Sequence, residues 1–224
     1  MRCNKLLRFK LLFPLVGVLL SGCSDSAVDV PPEKNFRLQK VGSQGEPMTH
    51  LQGPWSCVKD LNTGLIWEVK TDKEDLRDYR WNYSWFNADD SVRGVKDGGS
   101  CFNPLREDVT DIIPTNPGCH TMNYVEQVNR QGLCGYSDWR LPDILELATL
   151  IDNDAHPGQA RVQEGFFPRT KRSGYWTSNS DTEQSKKAWA ISFQTGDVEP
   201  FKTSIAFYIR LVRGVKRSEL DFEK

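Results

Sequence analysis

In the run WNYSWF, Trp81, Tyr83 and Trp85 occupy alternate positions. Residues two apart share one face of a strand, and a row of rings on such a face can stack on sugar rings. The same spacing suits three core side chains, the commoner fate of large aromatics. Cysteine supplies a second chemistry, with Cys3, Cys23, Cys57, Cys101, Cys119 and Cys134 encoded. Zinc-type ligation has little support, because no CxxC or HxxxH spacing occurs and His50, His120 and His156 stand singly. Calcium is no better served. Asp152 to Asp154 (DND) and Glu199-Pro200 are fragments of such a site, whereas a hard cation takes roughly six to eight oxygen ligands. No metal or other cofactor is therefore expected. GxSxG, a glycine-rich phosphate loop and a His spaced against Cys or Asp are all missing, so no catalytic residue is assigned, although DAH at Asp154 to His156 could join a spatial triad.

The N-terminus bears on how the cysteines are used. Arg2, Lys5, Arg8 and Lys10 precede the apolar run LLFPLVGVLL, Leu11 to Leu20, which has the flanks of a secretory signal and is short for a membrane span. It ends in LSGC, Leu20 to Cys23, which resembles the bacterial lipobox, whose cysteine is diacylated, exposed by cleavage and acylated again. Residues 1–22 are thus expected to be removed and Cys23 to carry the lipid. The alternative is an ordinary signal with Cys23 as a free or bridged thiol. Two or more acyl chains anchor a protein stably where one does not. Ser24 rather than Asp follows Cys23, which by resemblance to enterobacterial lipoproteins points to the outer membrane of a bacterial envelope. Four cysteines then remain. An even number in an exported chain predicts two disulfides, and three pairings are open.

Removal of the signal leaves 202 residues with 25 basic and 30 acidic side chains, a net charge of −5 that argues against nucleic acid as a partner. The charge is uneven: residues 23–160 hold 13 basic and 22 acidic side chains, and residues 161–217 hold 11 and 5. The length suits one domain, residues 36–217, on a tether at 23–35 (the Pro-Pro-bearing SDSAVDVPPEKN after Cys23), followed by a charged tail at 218–224.

The elements that must position these residues can be read in outline. Phe36 to Val41 is a short strand, and WSCVKDLNTGLIWEVK is a hairpin about Asn62-Thr63-Gly64, with Leu65 and Trp67 alternating against Ile66 and Glu68. Asn87 to Gly118 is a long loop held by Cys101 and Cys119. In TMNYVEQVNRQG, Thr121 is the expected cap, Val125 and Val128 mark one face, and Gly132 ends the helix. Asp143 with Glu146 makes a capping box for a second helix, whose stripe is Ile144, Leu147, Ala148 and Ile151. Just before it, Trp139 most simply fills the core and Arg140 neutralises a carboxylate or donates to loop carbonyls. Strands follow at GYWTSN, at KKAWAISF with Trp189, Ile191 and Phe193 on one face, and at SIAFYIRLVRGV. Helices first and strands later indicate an α+β fold.

In order, DLNTGLIWEVKT, GLCGYSDWRLPDILELATLID, YWTSNS, AWAISFQTGDV and IRLVRGV, spanning residues 60–215, resemble the Lcl C-terminal domain family, named for a collagen-like bacterial adhesin. The resemblance implies a C-type-lectin-like fold with paired N- and C-terminal strands, two helices, a small second sheet and long stapled loops. On that fold the strand at Cys57 would sit beside the last strand, with the helix before Cys134 close by. This favours Cys57 with Cys134, and Cys101 with Cys119. The implied role is an envelope binding or adhesion domain for a glycan, polysaccharide or protein. In one version Arg169, Lys171, Arg172, Lys186 and Lys187 meet a sulfated or carboxylated polymer, although a solvated basic loop is the plainer account. Formylglycine-generating oxidases share the broad fold and the RLP at Arg140 to Pro142, but they place a reactive cysteine pair near the C-terminus, and no cysteine follows Cys134 here. A structural envelope protein is the remaining alternative.

Overall fold

The computed structural model describes residues 37–96, 98–101, 118–183 and 186–215. Cys23, the signal, the tether and the tail lie outside these residues, as does most of the loop between Cys101 and Cys119. The first sheet has the order β2-β1-β3-β4-β8, with β1 Leu38–Val41, β2 Pro47–Met48, β3 Cys57–Asp60, β4 Ile66–Glu68 and β8 Val212–Arg213. The second is β5-β6-β7, with β5 Gly174–Ser180, β6 Lys187–Ser192 and β7 Val198–Lys202. Every pairing between these strands is antiparallel. Two helices, α1 Thr121–Gln131 and α2 Ile144–Ala148, complete an α+β fold. Disulfides join Cys57 to Cys134 and Cys101 to Cys119, the pairing that the family resemblance implies.

The β3–β4 hairpin forms around the expected turn because Asp60 Oδ1 accepts from the backbone N–H groups of Asn62 and Thr63, and Gly64 takes φ +75°. Its neighbouring residues feed different cores. Leu65, Trp67 and Val69 enter a cluster with Leu147, Phe167, Tyr175 and Ile191, while Ile66 enters another with Tyr83, Tyr124, Val128 and Trp139. Both faces of β4 are thus buried, so the apparently solvent-facing partner in the alternation, Glu68, is fully buried too. A third, smaller cluster joins Trp85, Trp176, Ala188 and Ala190. Ala188 and Ala190 are buried along with Ile191 and Phe193, so β6 also packs on two sides.

Four expectations need correction. The last strand is not continuous: Phe207 bridges Tyr83, Tyr208 bridges Tyr175, and only Val212–Arg213 pairs with β4. The chain changes partner as it crosses from one sheet to the other. Consequently β4, not the strand of Cys57, lies beside β8, and the first and last strands share a sheet without touching. Helix α1 is capped by His120, whose Nδ1 accepts from Asn123 N at 3.2 Å, because the hydroxyl of Thr121 is used elsewhere. Helix α2 stops after Ala148, which is exposed and drops out of the expected stripe, while Leu147 lies in the core, Ile144 and Ile151 pack against it, and Leu150 joins them.

Candidate functional site

Tyr83 and Trp85 do not form a sugar platform. Both are buried, and only Trp81 of the alternate trio is partly open. The segment lies between the two sheets: Tyr83 N donates to Phe207 O at 2.8 Å, Trp85 N to Thr203 O at 2.9 Å, and Trp176 Nε1 to Tyr83 O at 2.8 Å. Tyr83 packs on Tyr124 with ring centroids 4.8 Å apart, and Trp85 Nε1 donates to Thr177 O. Trp81 is tied back by its own Nε1 to Asp75 O. Tyr83 enters the cluster of Tyr124 and Trp139 and Trp85 that of Trp176, so the alternate rings are divided between two cores.

A groove of about 300 Å³ does open where this segment meets α1, the Arg140-Leu141 turn and β5. Phe86, Met122, Val125 and Leu141 give it carbon walls over Trp85, and Glu126, Arg140, Asn87 and Ser178 add polar groups. Local bonds hold the walls. Thr121 Oγ1 accepts from Phe86 N at 2.9 Å and donates to Phe86 O at 2.8 Å, which fixes the Phe86 backbone to the first turn of α1. Ser84 N donates to Cys119 O and Thr121 N to Ser84 O, both at 3.0 Å, so the segment and the start of α1 form a parallel bridge beside the Cys101–Cys119 disulfide. Gly94 is needed beside the Trp85 backbone: it has φ +76°, and a Cβ there would stand 2.2 Å from Trp85 O.

Of Trp139, Arg140, Asp143 and Glu146, Arg140 lines the groove and the others surround it in the chain. Trp139 is buried, with Nε1 donating to Leu133 O and its backbone held in both directions by the Asn129 amide. Arg140 exchanges backbone bonds with Val212, and its guanidinium grips the buried Glu146 through two 2.7 Å bonds. It donates to Leu141 O and Gly214 O as well, so both expected roles, carboxylate partner and carbonyl donor, apply. The capping box of Asp143 and Glu146 is formed.

Arg169, Lys171 and Arg172 lie together on the loop before β5, and Arg169 and Arg172 line a separate 180 Å³ hollow with Thr170 and Glu164. Arg169 is paired with Asp72 at 2.5 Å, and the Lys171 ammonium sits 4.6 Å from the centre of the Tyr79 ring. Lys186 is exposed, while Lys187 lies on β6 and is half-buried.

A buried charge network escaped sequence reasoning. Lys70 Nζ lies 3.2 Å from Glu68 Oε1 and donates to Tyr124 Oη at 2.7 Å, and Tyr124 Oη donates to the same carboxylate. The other Glu68 oxygen accepts from Leu211 N, and Arg210 Nη1 donates to Glu68 O at 2.7 Å. Burial pushes Lys70 down to about 8 against the pull of Glu68, lowers Arg210, and raises Tyr83 and Tyr124 well above 10.0. The i, i+2 spacing of Glu68 and Lys70 placed them on one strand face; nothing local said that α1 would cover it. Among the described residues no group of three or more His, Cys, Asp or Glu could hold a metal ion.

The family model described as the Lcl C-terminal domain matches residues 56–213, a span that includes both disulfides and every residue lining the groove. No curated protein matches the chain.

Proposed function

The chain belongs to the Lcl C-terminal domain family, and from that premise we propose that it is a bacterial envelope lipoprotein presenting a binding domain to an extracytoplasmic glycan, polysaccharide or protein. The groove between Phe86, α1 and Leu141 carries this reading, since a concave, mostly apolar site with a few polar groups on a fixed scaffold is the usual form of a binding site. Two disulfides suit an oxidising compartment. The run ending at Cys23 supplies the anchor, and Ser24 favours the outer membrane. The C-type-lectin-like group remains the fold relationship that the family resemblance implies. For a polysaccharide the complementary surface is the basic loop of Arg169, Lys171 and Arg172.

Metabolic labelling with radioactive palmitate tests the anchor: label should enter the wild-type chain and not Cys23→Ala. The chain from Ser24 onward, displayed on a glycan array and crosslinked in intact cells, tests the binding role. A wild-type protein that takes up no label removes the lipoprotein, and a domain that retains neither glycan nor envelope protein removes the binding module. Retention on a heparin-like polymer should be sought at low salt, where exposed charges are least screened, and should fall in R169A/R172A.

A further inference from the structure

The groove has a chemistry that narrows its ligand. On the binding role proposed above, we propose that it takes one large apolar side chain of an extended peptide, with a neighbouring Lys or Arg of that peptide meeting Glu126. The walls are carbon from Phe86, Met122, Val125 and Leu141. Several of the polar groups beside them are committed within the protein. Thr121 Oγ1 is used twice on Phe86, Trp85 Nε1 is used on Thr177 O, and Arg140 spends both terminal nitrogens on Glu146 and on the carbonyls of Leu141 and Gly214. A sugar ring entering the groove would bring several hydroxyls and meet, among the described residues, Asn87, Ser178 and Glu126 as its polar partners, and each hydroxyl left unsatisfied weakens binding. A Leu, Met or Phe side chain brings none of that cost and fits a 300 Å³ space. Met122 is unbranched and can adjust to the shape that enters.

Charge selects the flanking residue. Arg140 is neutralised by Glu146 at 2.7 Å, so its positive charge is not offered to a ligand. Glu126 is exposed and, among the described residues, held by a loose 3.6 Å pair with Arg130 across one helical turn, a kind of contact that contributes little. The groove therefore presents a carboxylate at its rim, complementary to a cation.

The test uses the mature chain from residue 23 with Cys23→Ala, labelled with 15N, and four probes: N-acetyl-Phe-Lys-amide, N-acetyl-Phe-Glu-amide, N-acetyl-Ala-Lys-amide and methyl α-glucoside. N-acetyl-Phe-Lys-amide should shift the amides of Phe86, Met122 and Val125, and bind about threefold more tightly than the Phe-Glu probe, as one exposed ion pair allows. The Ala-Lys probe and the glucoside should leave those amides in place. Val125→Arg, or Leu141→Arg should the first variant lose its native spectrum, should abolish the response, and Glu126→Lys at an exposed position should reverse the Lys-over-Glu preference. Glucoside shifting the groove amides, or a preference that ignores the charge at residue 126, overturns the proposal. Cell-surface partner capture that persists in V125R likewise overturns the groove's part while leaving the binding module intact. Dipeptide binding without any cellular partner upholds the groove and counts against the module.

Discussion

Glu146 serves two structures at once. Its Oε2 accepts from Asp143 N at 2.9 Å to close the capping box and from Arg140 Nη1 at 2.7 Å, and its Oε1 takes Arg140 Nη2. It is fully buried, so Glu146→Ala strands the Arg140 guanidinium, and a loss of about 3–5 kcal/mol is expected from urea denaturation. R140M/E146L should cost less than E146A alone, because no buried charge is left without its partner. The buried titratable groups give a pH signature. Lys70 sits at about 8 in the fold, so between pH 8 and 10.5 the unfolded chain holds a proton the fold has shed, and stability rises with pH. Tyr83 and Tyr124 lie well above 10.0, and Tyr175 is pushed up to about 12. Above pH 10 the unfolded chain therefore loses phenolic protons that the fold keeps, and stability falls. The urea midpoint should climb modestly from pH 8 to 10 and drop by pH 11, and Lys70→Met should flatten the climb while leaving the drop.

Helix α1 shows how one element carries a wall of the groove. Its first turn supplies Thr121 to clamp Phe86, and Met122 and Val125 to line the site, while Tyr124 and Val128 anchor the opposite side in the core. The cap falls to His120, which also sets its ring edge-on to Phe86 at 5.0 Å. His120→Ala should cost about 1 kcal/mol in chemical denaturation, and His120→Asn, which restores a capping acceptor, should recover most of it. Gly132 closes the other end in the left-handed region at φ +67°, as its place in the sequence indicates.

Across the domain, the disulfides divide the work unequally. Cys57–Cys134 spans 77 residues and is buried, whereas Cys101–Cys119 spans 18 and ties the approach to α1. Chain-entropy reasoning assigns about 4.5 kcal/mol to the first and about 3 kcal/mol to the second. C57A/C134A should therefore lower the urea midpoint more than C101A/C119A. The converse order would mean that the shorter bridge also holds up native packing around the groove.

What the sequence determined by itself was local: the Asn62-Thr63-Gly64 hairpin, the Asp143–Glu146 capping box and the Gly132 stop all depend on neighbours within a few residues. Family resemblance added the disulfide pairing. Only the tertiary structure decided which faces are covered. Tyr83 and Trp85 alternate in the sequence, but bonds to Phe207 and Trp176, more than 90 residues away, hold their segment inside the fold. Nothing in the sequence near Glu68 and Lys70 indicates that α1 lays Tyr124 over them. The groove arises from four segments distant in sequence, and spacing along the chain carries no record of where such segments meet.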